Sequence, residues 1–111
     1  HTQDAVLNVT LEPCSHYGKT PPCAKLVKES GVSRVVVAMQ DPNPAAAGQG
    51  IQLLRDAGIV VEVGVLEQQA RRVNERFIHN MLTQRPFVIS KFAMTLDGKI
   101  ATHTGHSTWV T

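Results

Sequence analysis

With 111 residues, 42% of them hydrophobic and 18% charged, the chain has the make-up of an ordinary soluble globular protein. That balance excludes a disordered, collagen-like or disulfide-packed chain. Eleven Lys+Arg against nine Asp+Glu leave a formal charge of +2, too small for a nucleic-acid footprint, and no apolar run is long enough to span a bilayer. The sequence opens at His1 without a Met and stops at Trp109-Val110-Thr111 in mid-pattern, so it reads as an internal stretch of a longer protein.

Ala5 to Leu11 is short, apolar and rich in Val and Thr, which predicts a mostly buried strand. After a polar loop, Pro22 is placed to open a helix carrying Ala24, Leu26 and Val27 that ends near Gly31. Arg34 to Met39 is continuously apolar, as a central parallel strand would be. Asp41-Pro42-Asn43-Pro44 ends it, since each Pro removes an amide donor. A second helix is expected over Ala47–Ala57 with Gly58 as its stop, and a third strand over Ile59–Val63. Glu67 to Leu82 carries helical spacing, with Leu66, Ala70, Val73, Phe77 and Met81 on one stripe. The alternation of strand and helix predicts an α/β layer with parallel neighbours. At Gln84-Arg85-Pro86 the pattern resets: Phe87–Met94 predicts a new strand, followed by a Leu96-Asp97-Gly98-Lys99 turn. A domain boundary is therefore expected there, with 1–84 in one unit and 85–111 in the next.

Two cysteines, Cys14 and Cys23, each follow a proline. Spacing leaves three readings open: a disulfide on a short loop, two structural thiols, or a thiolate pair that binds zinc. Their context favours the third. Cys14 lies where a strand ends and Cys23 where a helix begins, and open α/β sheets collect ligands at that edge. Gly48-Gln49-Gly50 lacks a third glycine and a preceding strand, so it reads as the opening turn of a helix rather than a dinucleotide loop. Asn74 reads as a satisfied packing residue, and Arg71 and Arg72 as solvated.

The run Thr10-Leu11-Glu12-Pro13-Cys14-Ser15-His16-Tyr17-Gly18-Lys19-Thr20-Pro21-Pro22-Cys23 resembles the zinc segment of the riboflavin-biosynthesis pyrimidine deaminases, members of the cytidine-deaminase-like enzymes. Asp41-Pro42-Asn43-Pro44 with Gly48-Gln49-Gly50 resembles the same family. The segment from Lys91 to Ala101, with Gly105-His106-Ser107-Thr108-Trp109, resembles the start of the riboflavin-pathway reductase domain, which follows the deaminase in bacterial bifunctional proteins.

The resemblance implies a three-layer cytidine-deaminase-like sheet, represented by its C-terminal portion over 1–84. It also implies the start of a dihydrofolate-reductase-like α/β domain over 85–111. Cys14 and Cys23 carry over as two zinc ligands. The third ligand and the proton-shuttling Glu belong to an H-x-E motif that the resemblance puts upstream of this stretch. His1-Thr2-Gln3 imitates the motif with Gln where the acid is required, and Glu12, in the strand-end turn, is not assigned the shuttle. His16, Lys19 and Ser107 are implied as substrate-binding, Lys19 as a point charge for a phosphate. Ala93 and Trp109 are implied as cofactor-binding, and Lys91, Thr95 and Asp97 as shaping the same pocket.

The implied chemistry is zinc-dependent hydrolytic removal of an amine from a diaminopyrimidine ribosylamino phosphate, then NADPH-dependent reduction of its ribosyl group to ribityl. This stretch alone is expected to lack both activities. The implied partner is that small molecule, with no nucleic acid and no membrane; a homo-oligomer stays open, and the expected location is cytoplasmic. Two alternatives remain: a zinc deaminase acting on nucleic acid or nucleosides, and a noncatalytic zinc-binding module.

Overall fold

The computed structural model describes residues 2–108. Three strands, β1 (Val6–Val9), β2 (Arg34–Val37) and β3 (Val60–Val63), form one sheet in the order β1-β2-β3. Both pairings are parallel, with Val9 opposite Val37 and Val37 opposite Val63. Parallel neighbours need a crossover, and here each is a helix: α1 (Cys23–Glu29) between β1 and β2, and α2 (Gln49–Asp56) between β2 and β3. The carboxyl ends of all three strands consequently share one edge of the sheet.

The core lies between the sheet and the α1–α2 layer. Val35 and Val37 of β2 meet Ala24 of α1, Ile51 and Leu54 of α2, and the flanking Val32 and Ile59. Leu7, Val9 and Val61 pack against this cluster from the outer strands. Each fully buried Val or Leu contributes about 1.5–3 kcal/mol of transfer free energy. The outward-facing positions of the sheet are different. Val6 and Val60 are exposed, and Arg34 forms a half-exposed ion pair with Glu62 across the β2–β3 ladder. The strands are therefore buried on one side and β1 is an edge. The expectation of a mostly buried first strand and of an apolar β2 on both faces gives way to period-two burial, because α1 and α2 cover one face only.

The long helix expected over 67–82 is two helices, α3 (Glu67–Val73) and α4 (Glu75–Thr83). The break is at Asn74, whose side-chain amide donates to the Ala70 carbonyl at 2.9 Å while its backbone N–H donates to the same oxygen at 3.0 Å. A side chain that competes for a helix carbonyl bends the helix locally. Asn74 is thus satisfied, as expected. Arg71 pairs with Glu67 on an exposed helix surface, and Arg72 is exposed. Of the expected apolar stripe Ala70 alone is buried; Leu66 and Val73 are exposed and Phe77 is 36% accessible. α3 approaches the second sheet face near the strands' carboxyl ends, where Asn8, Val36, Ala38, Leu66, Ala70 and Val73 border a cavity of about 280 Å³.

Gln84 closes α4 in the left-handed conformation, and every described residue after it is exposed. The strand expected over Phe87–Met94 does not form. Its apolar pattern is suited to a sheet, but among the described residues no other strand pairs with it, and a lone strand leaves its backbone donors and acceptors unmatched. The expected turn does form: the Gly98 N–H donates to Thr95 O at 2.9 Å and the Thr95 N–H to Lys99 O at 2.8 Å. The pattern repeats at Thr102–His106, with Gly105 N–H to Thr102 O at 2.9 Å and Thr102 N–H to His106 O at 3.1 Å. In both loops the threonine hydroxyl also accepts the amide of the closing residue, Lys99 or His106. Glycine in the left-handed region completes each, as a three-residue hairpin loop requires.

Candidate functional site

β1 leaves the sheet at Val9, and its chain runs along the carboxyl edge to Cys14. The Glu12 N–H still donates to Met39 O at 3.0 Å, so the β1–β2 ladder carries beyond the regular strands up to this point. Cys14 then meets the start of α1. The Cys23 N–H donates to Cys14 Sγ at 3.3 Å, and the Ala24 N–H donates to the Cys14 carbonyl at 3.1 Å. Pro22 precedes the first helical residue and offers no side-chain cap, so the thiol and carbonyl of Cys14 satisfy amides that the helix itself leaves orphaned. This double contact brings the two cysteines, nine positions apart, to one place at the sheet edge.

Cys14 is half-buried and Cys23 exposed, and neither is in a disulfide. The hydrogen bond from Cys14 pushes the Cys23 thiol above its ordinary range; burial and the charge of Cys14 act in the same direction, and the backbone bond opposes them. Two sulfurs on one side of an open edge supply half of a tetrahedral thiolate site. Among the described residues no third His, Cys, Asp or Glu joins them in a metal-sized cluster.

Around the pair, Ser15 Oγ donates to Gln49 Oε1 at 3.2 Å, linking the loop to the start of α2. His16 and Lys19 lie on the exposed part of that loop, where the Gly18 N–H donates to Thr20 O at 3.3 Å. Among the described hydrogen bonds and ion pairs neither the His16 nor the Lys19 side chain takes part, and both lie in the chain between the two cysteines.

Glu12 has the largest role that sequence reasoning missed. It is 5% exposed and takes four backbone N–H groups: Oε2 accepts from Asp41 at 3.1 Å and Gly48 at 2.9 Å, and Oε1 accepts from Gly50 at 2.9 Å and Ile51 at 3.1 Å. The last two belong to the first turn of α2, where orphan amides and the helix dipole favour an anion. The Gly-x-Gly turn thus opens a helix, as expected, and what it cradles is a carboxylate of its own chain. Gly48 sits at φ +82°, and Gly50 is needed for proximity: a Cβ there would lie 1.8 Å from the Pro13 carbonyl oxygen. The loop before it is braced by Asp41 Oδ1, which accepts from the Asn43 amide, and Asn43 Oδ1, which accepts from the Ala45 amide. The available signal was a Glu directly before Pro-Cys and a Gly-x-Gly at a helix start, but nothing local pairs segments 36 to 39 residues apart.

A second concavity, about 480 Å³, lies in the exposed C-terminal segment. Ala93, Thr95 and Ser107 all border it, with Lys99, Thr102 and His106, so three of the sequence-derived candidates are brought together there. Lys91 and Asp97 do not line it. His1 and Trp109 lie outside the described residues.

An open parallel α/β sheet with a cysteine pair and a buried carboxylate clamp at its carboxyl edge places the chain among the α/β proteins with parallel sheets. Comparisons with known proteins are specific about which. The family model "RibD C-terminal domain" matches residues 86–111. The riboflavin biosynthesis protein RibD of Bacillus amyloliquefaciens is 58% identical over 107 residues, 96% of this chain and 29% of that protein. Its Escherichia coli counterpart is 46% identical over the same length, again 96% of this chain and 29% of the relative. Among solved structures, Acinetobacter baumannii RibD superposes with a TM-score of 0.83 at 49% identity, covering 99% of this chain and 31% of that one. A Thermotoga maritima diaminohydroxyphosphoribosylaminopyrimidine deaminase/5-amino-6-(5-phosphoribosylamino)uracil reductase gives 0.82 at 51% identity, covering 98% and 31%. The chain belongs to the RibD family of riboflavin-biosynthesis proteins, and it spans about 30% of the length of the curated relatives it matches.

Proposed function

We propose that residues 1–84 are the C-terminal portion of a cytidine-deaminase-like zinc domain and that residues 85–111 begin an NADPH-dependent reductase domain of the same bifunctional enzyme. The convergence of Cys14 and Cys23 at the carboxyl edge, with the Cys23 amide on the Cys14 sulfur, carries the first half of this reading. The family membership, and the name of the Thermotoga relative as deaminase and reductase, support the pairing of activities.

In this reading Cys14 and Cys23 hold Zn2+ as thiolates, together with a ligand from outside the described residues. Bound there, zinc supplies Lewis acidity for hydrolytic loss of an amine from a diaminopyrimidine ribosylamino phosphate. Lys19 and His16, exposed on the loop that joins the pair, bind the substrate, with Lys19 meeting the phosphate as a point charge. Glu12 is not the proton shuttle. Both of its oxygens are occupied by amides, so it has no site left for a substrate proton. In the second domain, Ser107 binds the sugar phosphate, and Ala93 and Trp109 pack against NADPH. The small-molecule substrate and the cofactor fit a cytoplasmic enzyme. No helix among the described residues is long and apolar enough to cross a membrane.

The test uses the full-length protein. Zinc content is measured alongside ammonia release from the pyrimidine substrate in wild type, Cys14→Ser and Cys23→Ser. One zinc per chain, lost in each variant together with ammonia release, is the expected result. Full activity in either variant refutes the metal reading.

A further inference from the structure

We infer that Glu12 is a positioning residue for the thiolate pair: its carboxylate, filling a nest of four backbone amides, fixes the path of the chain into Cys14. The inference rests on the proposed reading of that pair as a metal site. The donors come from three places, the loop after β2 (Asp41), the turn before α2 (Gly48) and the first turn of α2 (Gly50 and Ile51). One buried anion therefore gathers the exits of β1 and β2 and the start of α2 around itself.

The link to the sulfurs is short. The Pro13 carbonyl, one residue on, lies against Gly50 so closely that no side chain fits between them. Cys14 follows directly, and its sulfur and carbonyl receive the amides of Cys23 and Ala24. Ser15 then bonds to Gln49, beside the glycine turn. Segment 12–15 is consequently held on one side by α2 and on the other by α1, with Glu12 as its charged anchor. A hydrogen-bonded residue that orients a metal ligand without touching the metal typically tunes affinity 10- to 100-fold.

The experiment compares full-length wild type, Glu12→Gln and Glu12→Ala, each verified as folded by circular dichroism. Zinc affinity is measured by chelator competition, and site geometry by the thiolate-to-metal charge-transfer band after cobalt substitution. The expected result is a folded Glu12→Gln protein with zinc affinity reduced 10- to 100-fold and a displaced cobalt band, because an amide cannot accept all four N–H groups. Formate, a carboxylate small enough for the vacated nest, should restore affinity in Glu12→Ala, whereas chloride at equal ionic strength should not. Wild-type affinity and an unchanged cobalt band in folded Glu12→Gln would overturn the inference. Should Glu12→Gln fail to fold, Glu12→Asp decides, since it keeps the charge but draws it back by one methylene: weakened zinc binding supports the inference and unchanged binding overturns it. A wild-type protein that takes up no zinc would overturn the metal reading and this inference with it. Unchanged affinity in a variant of a zinc-binding wild type overturns this inference alone.

Discussion

Replacing Gly50 by Ala pits two physical effects of opposite sign against each other. Gly50 lies in the first turn of α2 and is buried. Helix propensity alone predicts that Ala there stabilises the protein by about 0.5–1 kcal/mol. The contact predicts the reverse. The added Cβ would sit 1.8 Å from Pro13 O, 3.1 Å from Pro13 C and 3.3 Å from Glu12 Oε1. Bringing the first of these to van der Waals separation, near 3.2 Å, requires a relative movement of roughly 1.4 Å between α2 and the β1 exit, a displacement that overpacking normally prices at about 1–3 kcal/mol. The same movement stretches the Gly50 and Ile51 amide bonds to Glu12, now 2.9 and 3.1 Å. Bonds to a charged acceptor contribute about 1.5–3 kcal/mol each, so losing one adds a comparable penalty. The net expectation is destabilisation of about 2–5 kcal/mol, a large fraction of the usual stability of a domain. Urea unfolding followed by far-UV circular dichroism measures it, with exposed Gln52→Ala in the same helix as the reference. A Gly50→Ala protein at least as stable as wild type would refute the close approach and the clamp built on it.

Three further outcomes concern the cysteines and their loop. In metal-free protein the Cys14 contact raises the Cys23 thiol, so its alkylation by iodoacetamide should reach half-maximal rate at a pH above that of an ordinary thiol; Cys14→Ala, which removes the first cause, should lower that midpoint. The sign for folding follows: a proton held more tightly in the folded state adds stability at lower pH, and this is lost as pH rises through the raised value. Zinc uptake must displace that proton, so apparent metal affinity should climb across the same alkaline range, as read by chelator competition at a series of pH values. Lys19→Ala in the full-length protein should weaken binding of the phosphate-bearing substrate with zinc content unchanged; equal substrate affinity in both proteins would remove Lys19 from the site.

The parallel sheet was legible because Val-rich runs and Pro or Gly punctuation are local signals. Pro22 immediately precedes α1, and Gly58 follows soon after the end of α2. The carboxyl-edge position of Cys14 and Cys23 followed from the same alternation. What escaped was decided by particular bonds and partners that local composition and spacing do not report. Asn74 breaks the helix through a bond to Ala70 that hydrophobic spacing does not report. Phe87–Met94 has the composition of a strand, yet strand formation needs a neighbour, and composition does not say whether one exists. Glu12 was read as a carboxylate in a turn, and its meaning depends on amides up to 39 residues later.

The cysteines are held together by main-chain amides at the start of α1, while the residues between them contribute little to that bond. His16 through Pro21 are exposed, and the backbone bonding of this stretch is confined to the Gly18–Thr20 contact among the described interactions. The loop is therefore a replaceable module on a fixed frame. Residues can be inserted, deleted or exchanged within it at small cost to the sheet, as exposed loop tips generally permit. A designer can vary this loop alone and leave the sulfurs where the helix start and the glutamate clamp hold them.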